Sequence, residues 1–501
     1  MATHTHVAVA SAAKPTSIIW RVLWKGFGFV YGTFSLGAFV LLSYVKKGAF
    51  RRMDRKEKGE LKDAQDRLWD LSKKPFGLIH CFCTLRSGVK LHYVESLPQT
   101  KPSSQTSLVI FLHGFPDSYY LWRPYLTSDR LQSQAVMVAV DLPGFGGSDN
   151  LPQYGADEVL ESISEFILQM REKYVPTEVG QGRSSSRVVI VGHDWGAVIG
   201  MRLASEAPQL GDRFVMSNCL HVTLAYSNVA SRLSTARQML HTFTQSPRQI
   251  RLLARAFSNI RPLLRQIRKS GYVFVFNLPK PMANIVGSLG NFWLFRYMNA
   301  ISTHPNPNTP IAGLKGAELL ASSIGPSEKE CTTSPNGSPE LTYGPSVLQR
   351  AISRNGGFTE KINLYRQGLL FNPWEKSLQT LWDLNQIEQS TGRRQSSGGL
   401  DLFDVGPAGS LRAPMTVIWG KRDVAIENAI AIEGIGDFMG VRPSQLLVVE
   451  GCGHWVPIQE QGVGVFEEVI GWAVEGEKGG LRERFGEGFV GVKFAVERLV
   501  K

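Results

Sequence analysis

Between residues 80 and 475, short apolar runs alternate with longer stretches whose apolar residues recur at helical spacing. Residues 108–112, 135–140 and 188–191 are continuous apolar runs, the form required of strands buried on both faces. Residues 214–216, 416–419 and 446–449 repeat that signal. Residues 80–85 and 90–95, separated by Ser87-Gly88, read as a strand pair with a turn. Over residues 158–170, Val159, Leu160, Ile163, Phe166, Ile167 and Met170 share one face of a predicted helix. Strands alternating with helices predict an α/β fold whose central sheet is mostly parallel and covered on both faces.

The alternation lapses between residues 221 and 413, where the chain becomes helix-rich and basic. Two stretches rich in Pro, Ser, Gly and Thr, residues 303–345 and 389–399, read as disordered surface insertions. The remainder, residues 223–410, is expected to form a helical cap over the carboxyl edge of the sheet, where open α/β sheets bind ligands. The sheet-forming parts are then residues 80–222 and 411–475. The tail, residues 476–501, is expected to end in a packing helix, or in an amphipathic helix on membrane or core.

The start of the chain follows another pattern. Residues 26–45 carry no charge and are long enough to cross a bilayer of about 30 Å. Trp20, Trp24 and Tyr44 lie near the ends of the run, where amphipathic rings favour the interface. A basic block, KKGAFRRMDRKEK, follows it. About seven of the +12 net charges fall in the first sixty residues, so the excess belongs to this region. The reading is an N-terminal transmembrane helix with its basic juxtamembrane segment over residues 1–56, the catalytic part on the cytoplasmic side. A charged amphipathic linker follows over residues 57–79, resting on anionic lipid or simply solvated. The remaining charge has no nucleic-acid pattern. The five cysteines, Cys81, Cys83, Cys219, Cys331 and Cys452, match neither a disulfide framework nor a metal site, and read as reduced thiols.

Three separated motifs carry the candidate chemistry. HGFPDS, residues 113–118, directly follows a predicted strand. GHDWGA, residues 192–197, follows another and precedes a helical stretch, the strand–turn–helix context of a nucleophile elbow. Asp423 in WGKRDVAI and His454 in GCGHWVP each lie just past a late strand. Nucleophile, acid, histidine is the chain order of α/β-hydrolase triads. At the elbow, however, the central residue is Asp194, where a serine is usual. A carboxylate attacking a carbonyl would form an anhydride, whereas at a saturated carbon it displaces a leaving group and forms an alkyl ester. Water activated by His454, itself oriented by Asp423, can then hydrolyse that ester. The backbone N–H groups of Phe115 and Trp195 would form the oxyanion hole. Epoxides and alkyl halides both offer such a carbon. An epoxide oxygen needs a proton donor as the ring opens, and the cap supplies two phenols, Tyr272 and Tyr365.

With these motifs, residues 81–474 resemble the epoxide hydrolases of the α/β-hydrolase fold, and the apolar N-terminus resembles their membrane-anchored branch. The matching residues are His113-Gly114-Phe115-Pro116, Gly192 to Gly196, Tyr272 before Asn277-Leu278-Pro279, and Asn363-Leu364-Tyr365-Arg366. Asp141 to Asp149, DLPGFGGSD, is similar to a further loop of the family. Asn277 departs from the usual glutamine and Val273 from another. The resemblance implies a triad of Asp194, Asp423 and His454, two catalytic tyrosines, and no metal or organic cofactor. It implies a small lipophilic epoxide as substrate, a bilayer as partner, and the endoplasmic reticulum as the expected membrane. A haloalkane or haloacid dehalogenase, and a non-catalytic membrane-tethered ligand-binding module, are the alternatives.

Overall fold

In the computed structural model the described residues are 18–45, 53–96, 107–175, 186–289, 292–303, 316–333, 341–391, 407–486 and 489–498. The predicted strands and one unpredicted strand form one sheet: β1 (Ile79–Thr84), β2 (Lys90–Ser96), β3 (Ser107–Leu112), β4 (Ala135–Val140), β5 (Val188–His193), β6 (Arg213–Ser217), β7 (Met415–Gly420), β8 (Ser444–Val449) and, not predicted, β9 (Val492–Arg498). Their order is β1-β2-β4-β3-β5-β6-β7-β8-β9. From β4 through β8 all neighbours are parallel, while β1, β2 and β9 add antiparallel edges. Every residue of β3, β4 and β5 is buried, as strands covered on both faces demand.

β9 corrects the helix expected in the tail. Val492, Phe494 and Val496 alternate with Lys493, Ala495 and Glu497, a period of two. Pairing with β8 satisfies backbone groups that would otherwise stay open at the sheet edge.

The N-terminal run is helical over α1 (Ile18–Val45). Among the described residues, however, no helix is long and apolar enough to cross a membrane, which corrects the spanning helix. Glycine, serine, threonine and tyrosine dilute its hydropathy, and one of its faces rests on protein. At Gly32 the missing side chain lets the backbone carbonyl of Phe274 approach to where a Cβ would lie 2.7 Å away. Ser35 is buried there, and the Tyr31 hydroxyl donates to the carbonyl of Ile267 at 3.1 Å.

The segment expected to be a linker is largely helical. Helix α2 (Arg55–Trp69) packs one face on the protein and exposes the other. It opens on a capping box between Asp54 and Glu57 and buries Leu61, Ala64, Leu68 and Trp69. The core helices that frame the site are α3 (Ala156–Tyr174) and α4 (Trp195–Glu206).

The cap contains α5 (Val222–Gln245), α6 (Arg251–Lys269), α7 (Gly271–Phe276), α8 (Trp293–Thr303), α9 (Gly316–Ile324) and α10 (Asn363–Arg366). Within the stretch read as a disordered insertion, α9 is buried against α2. Trp69 Nε1 donates to the carbonyl of Ala321 at 3.0 Å, and the Tyr343 hydroxyl donates to that of Trp69 at 2.7 Å. Composition underestimated this segment, because Leu319, Leu320, Ala321 and Ile324 are buried against elements distant in the chain, α2 foremost. Of the second insertion, residues 389–391 end a helix and the rest lies outside the described residues.

Candidate active site

Strand β5 ends at His193, and the chain turns so sharply into α4 that Asp194 adopts φ 50°, ψ −117°. A side chain rarely takes a positive φ, and here the strain lifts the carboxylate above the sheet edge. Its Oδ2 accepts the Phe115 N–H at 2.8 Å, and the Trp195 N–H also stabilises the anion. Burial raises the Asp194 pKa, opposed by His454 and these two backbone donors. Gly114 makes the approach possible, since a Cβ there would stand 2.4 Å from the Asp194 Cβ.

His454 follows β8. Its Nδ1–H donates to Asp423 Oδ2 at 2.9 Å, and its Nε2 lies 3.7 Å from Asp194 Oδ1. Burial disfavours the imidazolium, yet Asp423, Asp194 and Asp117 together carry the pKa up to about 9. Asp423 has four donors. Its Oδ1 accepts the N–H of Ala425 at 2.7 Å and of Ile426 at 2.8 Å, and its Oδ2 accepts the Asn218 amide at 2.6 Å beside His454. Burial alone would raise its pKa, but His454 and these donors hold it below the ordinary value.

The tyrosines come from the cap. Tyr272 lies on α7 and Tyr365 on α10, with ring centroids 6.0 Å apart, and the Tyr365 ring stands edge-on to Trp195 at 4.8 Å. Arg366 joins the two segments, donating through Nη1 to the carbonyls of Phe276 at 2.5 Å and Leu278 at 2.7 Å. Burial raises both phenol pKa values, so both hold their protons at neutral pH.

All seven residues singled out from the sequence, Asp194, Asp423, His454, Tyr272, Tyr365, Phe115 and Trp195, thus meet around one space. All but Trp195 line a cavity of about 560 Å³, whose apolar wall includes Phe39, Phe276, Leu294, Met298 and Ile301. Its size suits a small organic molecule. Among the described residues no group of three His, Cys, Asp or Glu side chains could hold a metal ion.

Sequence reasoning missed three neighbours. Asn218, at φ 44° just past β6, holds Asp423. The buried Asp117 accepts the Trp455 indole N–H at 3.1 Å, and burial raises its pKa to about 7. His193 Nε2–H donates to the His454 carbonyl at 2.9 Å and fixes that loop. Asp117 and His193 lay inside quoted motifs and offered a signal; Asn218 offered none.

The sequence pattern of the Alpha/beta hydrolase family matches residues 109–468. The chain is similar to "Epoxide hydrolase 3" of Mus musculus, 25% identical over 394 residues, spanning 75% of this chain and 74% of that protein. It is similar to "Epoxide hydrolase 3" of Xenopus tropicalis, 28% identical over 373 residues, spanning 74% and 71%. A solved structure of a Bacillus megaterium epoxide hydrolase with an inhibitor aligns with a TM-score of 0.45 and 18% identity, covering 79% of this chain and 99% of that one.

Proposed function

The chain belongs to the alpha/beta hydrolase family and is a hydrolase, and we propose that it opens small lipophilic epoxides to vicinal diols. The observation that carries this reading is the arrangement of Asp194. One carboxylate oxygen rests on the Phe115 N–H, while the other faces a cavity also lined by two phenols.

In the first step Asp194 Oδ1 attacks a ring carbon and the C–O bond of the epoxide breaks. The ring oxygen takes a proton from Tyr272 or Tyr365, giving a hydroxyl on an alkyl-enzyme ester. Esterification removes the negative charge of Asp194, one of the charges that holds the proton on His454. The imidazole, kept in place by Asp423, can then take a proton from water. The hydroxide attacks Asp194 Cγ, and the developing charge falls on Oδ2, where Phe115 and Trp195 donate. Collapse breaks the ester bond; the departing alkoxide oxygen takes the proton of the new Asp194 carboxyl group, which gives the diol and the carboxylate, and the proton on His454 restores the phenol. The sum is epoxide plus water to diol.

The apolar run of residues 26–45 and the basic block after it support a place at the cytosolic face of a membrane, the endoplasmic reticulum being the expected one. Product analysis tests the chemistry. Purified protein is offered a lipophilic epoxide and a matched alkyl halide, with Asp194→Ala as control. Diol formation that is lost in the variant, without halide release, supports the reading; halide release would make the chain a dehalogenase. Silence on both over a broad panel would favour a ligand-binding module.

A further inference from the structure

Helices α5 and α6 pack on each other at the outer side of the cap. Asn259 of α6 meets Met239 of α5, so the two run antiparallel. On α6, Leu253, Phe257, Leu264 and Ile267 are exposed, Phe257 to 62%. At 100° per residue these four fall within an arc of about 80°. On α5, Tyr226, Leu233 and Leu240 are exposed at seven-residue spacing. The stripe on α6 meets α1 at the Tyr31–Ile267 contact, and α1 adds exposed Val30, Phe34 and Leu41. Solvent-facing aromatic and aliphatic side chains on three neighbouring helices are more than a monomer ordinarily leaves in water.

The charge beside this stripe has one sign. Helix α6 carries Arg251, Arg255, Arg261, Arg265, Arg268 and Lys269 and no acidic residue. Arg265 and Lys269 pair with Glu427 of the core. Arg251, Arg255 and Arg261 are exposed and meet no carboxylate among the described residues. At the same 100° spacing Arg268 and Arg261 border the stripe on one side, while Arg251 and Arg255 lie on the opposite side of the helix. An apolar stripe bordered by arginines is the pattern of a helix lying in a lipid–water interface. A second copy docking through the same face would set arginine against arginine, whereas anionic headgroups complement them.

We propose that the exposed face shared by α6, α5 and α1 seats on an anionic lipid bilayer, with α6 lying flat in the interface. Phe39 of α1 and Arg268 and Lys269 of α6 line the cavity that holds Asp194, so this face borders its rim. A lipid-dissolved molecule then reaches the carboxylate without crossing bulk water. Only that consequence rests on the proposed epoxide chemistry; the surface itself does not.

The test places a bimane fluorophore on the full chain at Phe257→Cys or at Leu264→Cys, with Lys478→Cys as control. Lys478 follows Glu477, which pairs with Arg187 and Arg213 at the opposite edge of the sheet. Vesicles of phosphatidylcholine carry a doxyl-labelled lipid, with or without phosphatidylserine. Quenching is expected at 257 and 264 but not at 478, and phosphatidylserine should strengthen it. Arg261→Glu should lower the vesicle affinity read at 257 by about fivefold or more, whereas Arg255→Glu, on the opposite side of α6, should change it less. Unquenched probes at 257 and 264 on protein that floats with the vesicles would overturn the proposal. Bimane self-quenching without lipid would also overturn it, in favour of a second copy. Epoxide turnover is followed in the same samples, since none of these positions is in the catalytic machinery. Lipid quenching without turnover would remove the enzymatic reading and leave the surface standing.

Discussion

His454 Nε2 lies 3.7 Å from Asp194 Oδ1, beyond hydrogen-bond reach, while its Nδ1 is bonded to Asp423 Oδ2 at 2.9 Å. The imidazole is thus held by one carboxylate and leaves the other free to attack. Once an ester has formed, the hydrolytic water has to stand within hydrogen-bond reach of Nε2 and face Asp194 Cγ. Replacing the base should separate the two half-reactions. His454→Gln is expected to alkylate but not turn over, so intact-protein mass spectrometry should show one substrate mass added at Asp194 and steady-state kcat should fall by about 10³-fold or more. A variant that forms no adduct yet loses turnover would refute the two-step scheme.

The phenols should act before the ester exists. Tyr365→Phe or Tyr272→Phe keeps the ring packing around Phe276 and Trp195 but removes a proton donor. Single-turnover alkylation by an epoxide should slow by about 10- to 10³-fold in each variant and more in the double variant. Ester hydrolysis should change far less. Equal slowing of both phases would reduce the tyrosines to packing residues.

The raised pKa of His454 has a consequence for stability. Its value lies at about 9 in the folded chain against 6.5 for the free side chain. The native state therefore binds this proton more tightly. The stabilisation is complete below about pH 6.5 and is lost as pH climbs through about 9. His80, His113 and His193, whose pKa values burial lowers, act in the opposite sense and only below pH 6.5. Asp117, raised to about 7, loses its stabilising proton mostly before this window. Of the loss seen by chemical denaturation from pH 7 to 9, the share of His454 should be at most about 3 kcal/mol, to which the five cysteines, their thiol pKa values raised by burial, add towards pH 9. Asp194→Asn should shrink it; an unchanged slope would remove Asp194 as a cause.

Gly114 tests the closeness of the oxyanion loop to the elbow. Gly114→Ala would push a methyl group into Asp194. The expected cost is about 1–3 kcal/mol of stability, with loss of alkylation as the carboxylate leaves the Phe115 N–H. Wild-type kinetics with unchanged melting would mean that the loop has room to move.

Trp69 tests the packing of α2. It is fully buried and bonded to Ala321. Trp69→Ala should cost about 3–5 kcal/mol and release α2 and α9 together. Limited proteolysis near residue 316 should report that release, and unaltered cleavage would show the two helices to be independent.

The amino-acid sequence by itself determined much of this molecule because local signals agreed. Buried parallel strands need unbroken apolar runs, and an elbow needs small residues around its nucleophile. Asp194, Asp423 and His454 were legible since each follows a strand, and strands end on one edge of a parallel sheet. Where a segment's partner is distant in the chain, local pattern failed. Helix α2 read as a linker, on lipid or solvated, and α9 as part of an insertion, because each supplies apolar surface the other buries. The tail read as a helix, although β9 owes its form to the open edge of β8. The run of residues 26–45 read as a membrane span, although one face of α1 closes on the cap through Gly32 and Ser35. Asn218 carried no signal at all. Its role exists only because β6 and β7 are neighbours, which places its amide within 2.6 Å of Asp423, 205 residues away along the chain. Tertiary structure decided these cases because burial and hydrogen bonding depend on what the fold brings near, not on what lies adjacent in sequence.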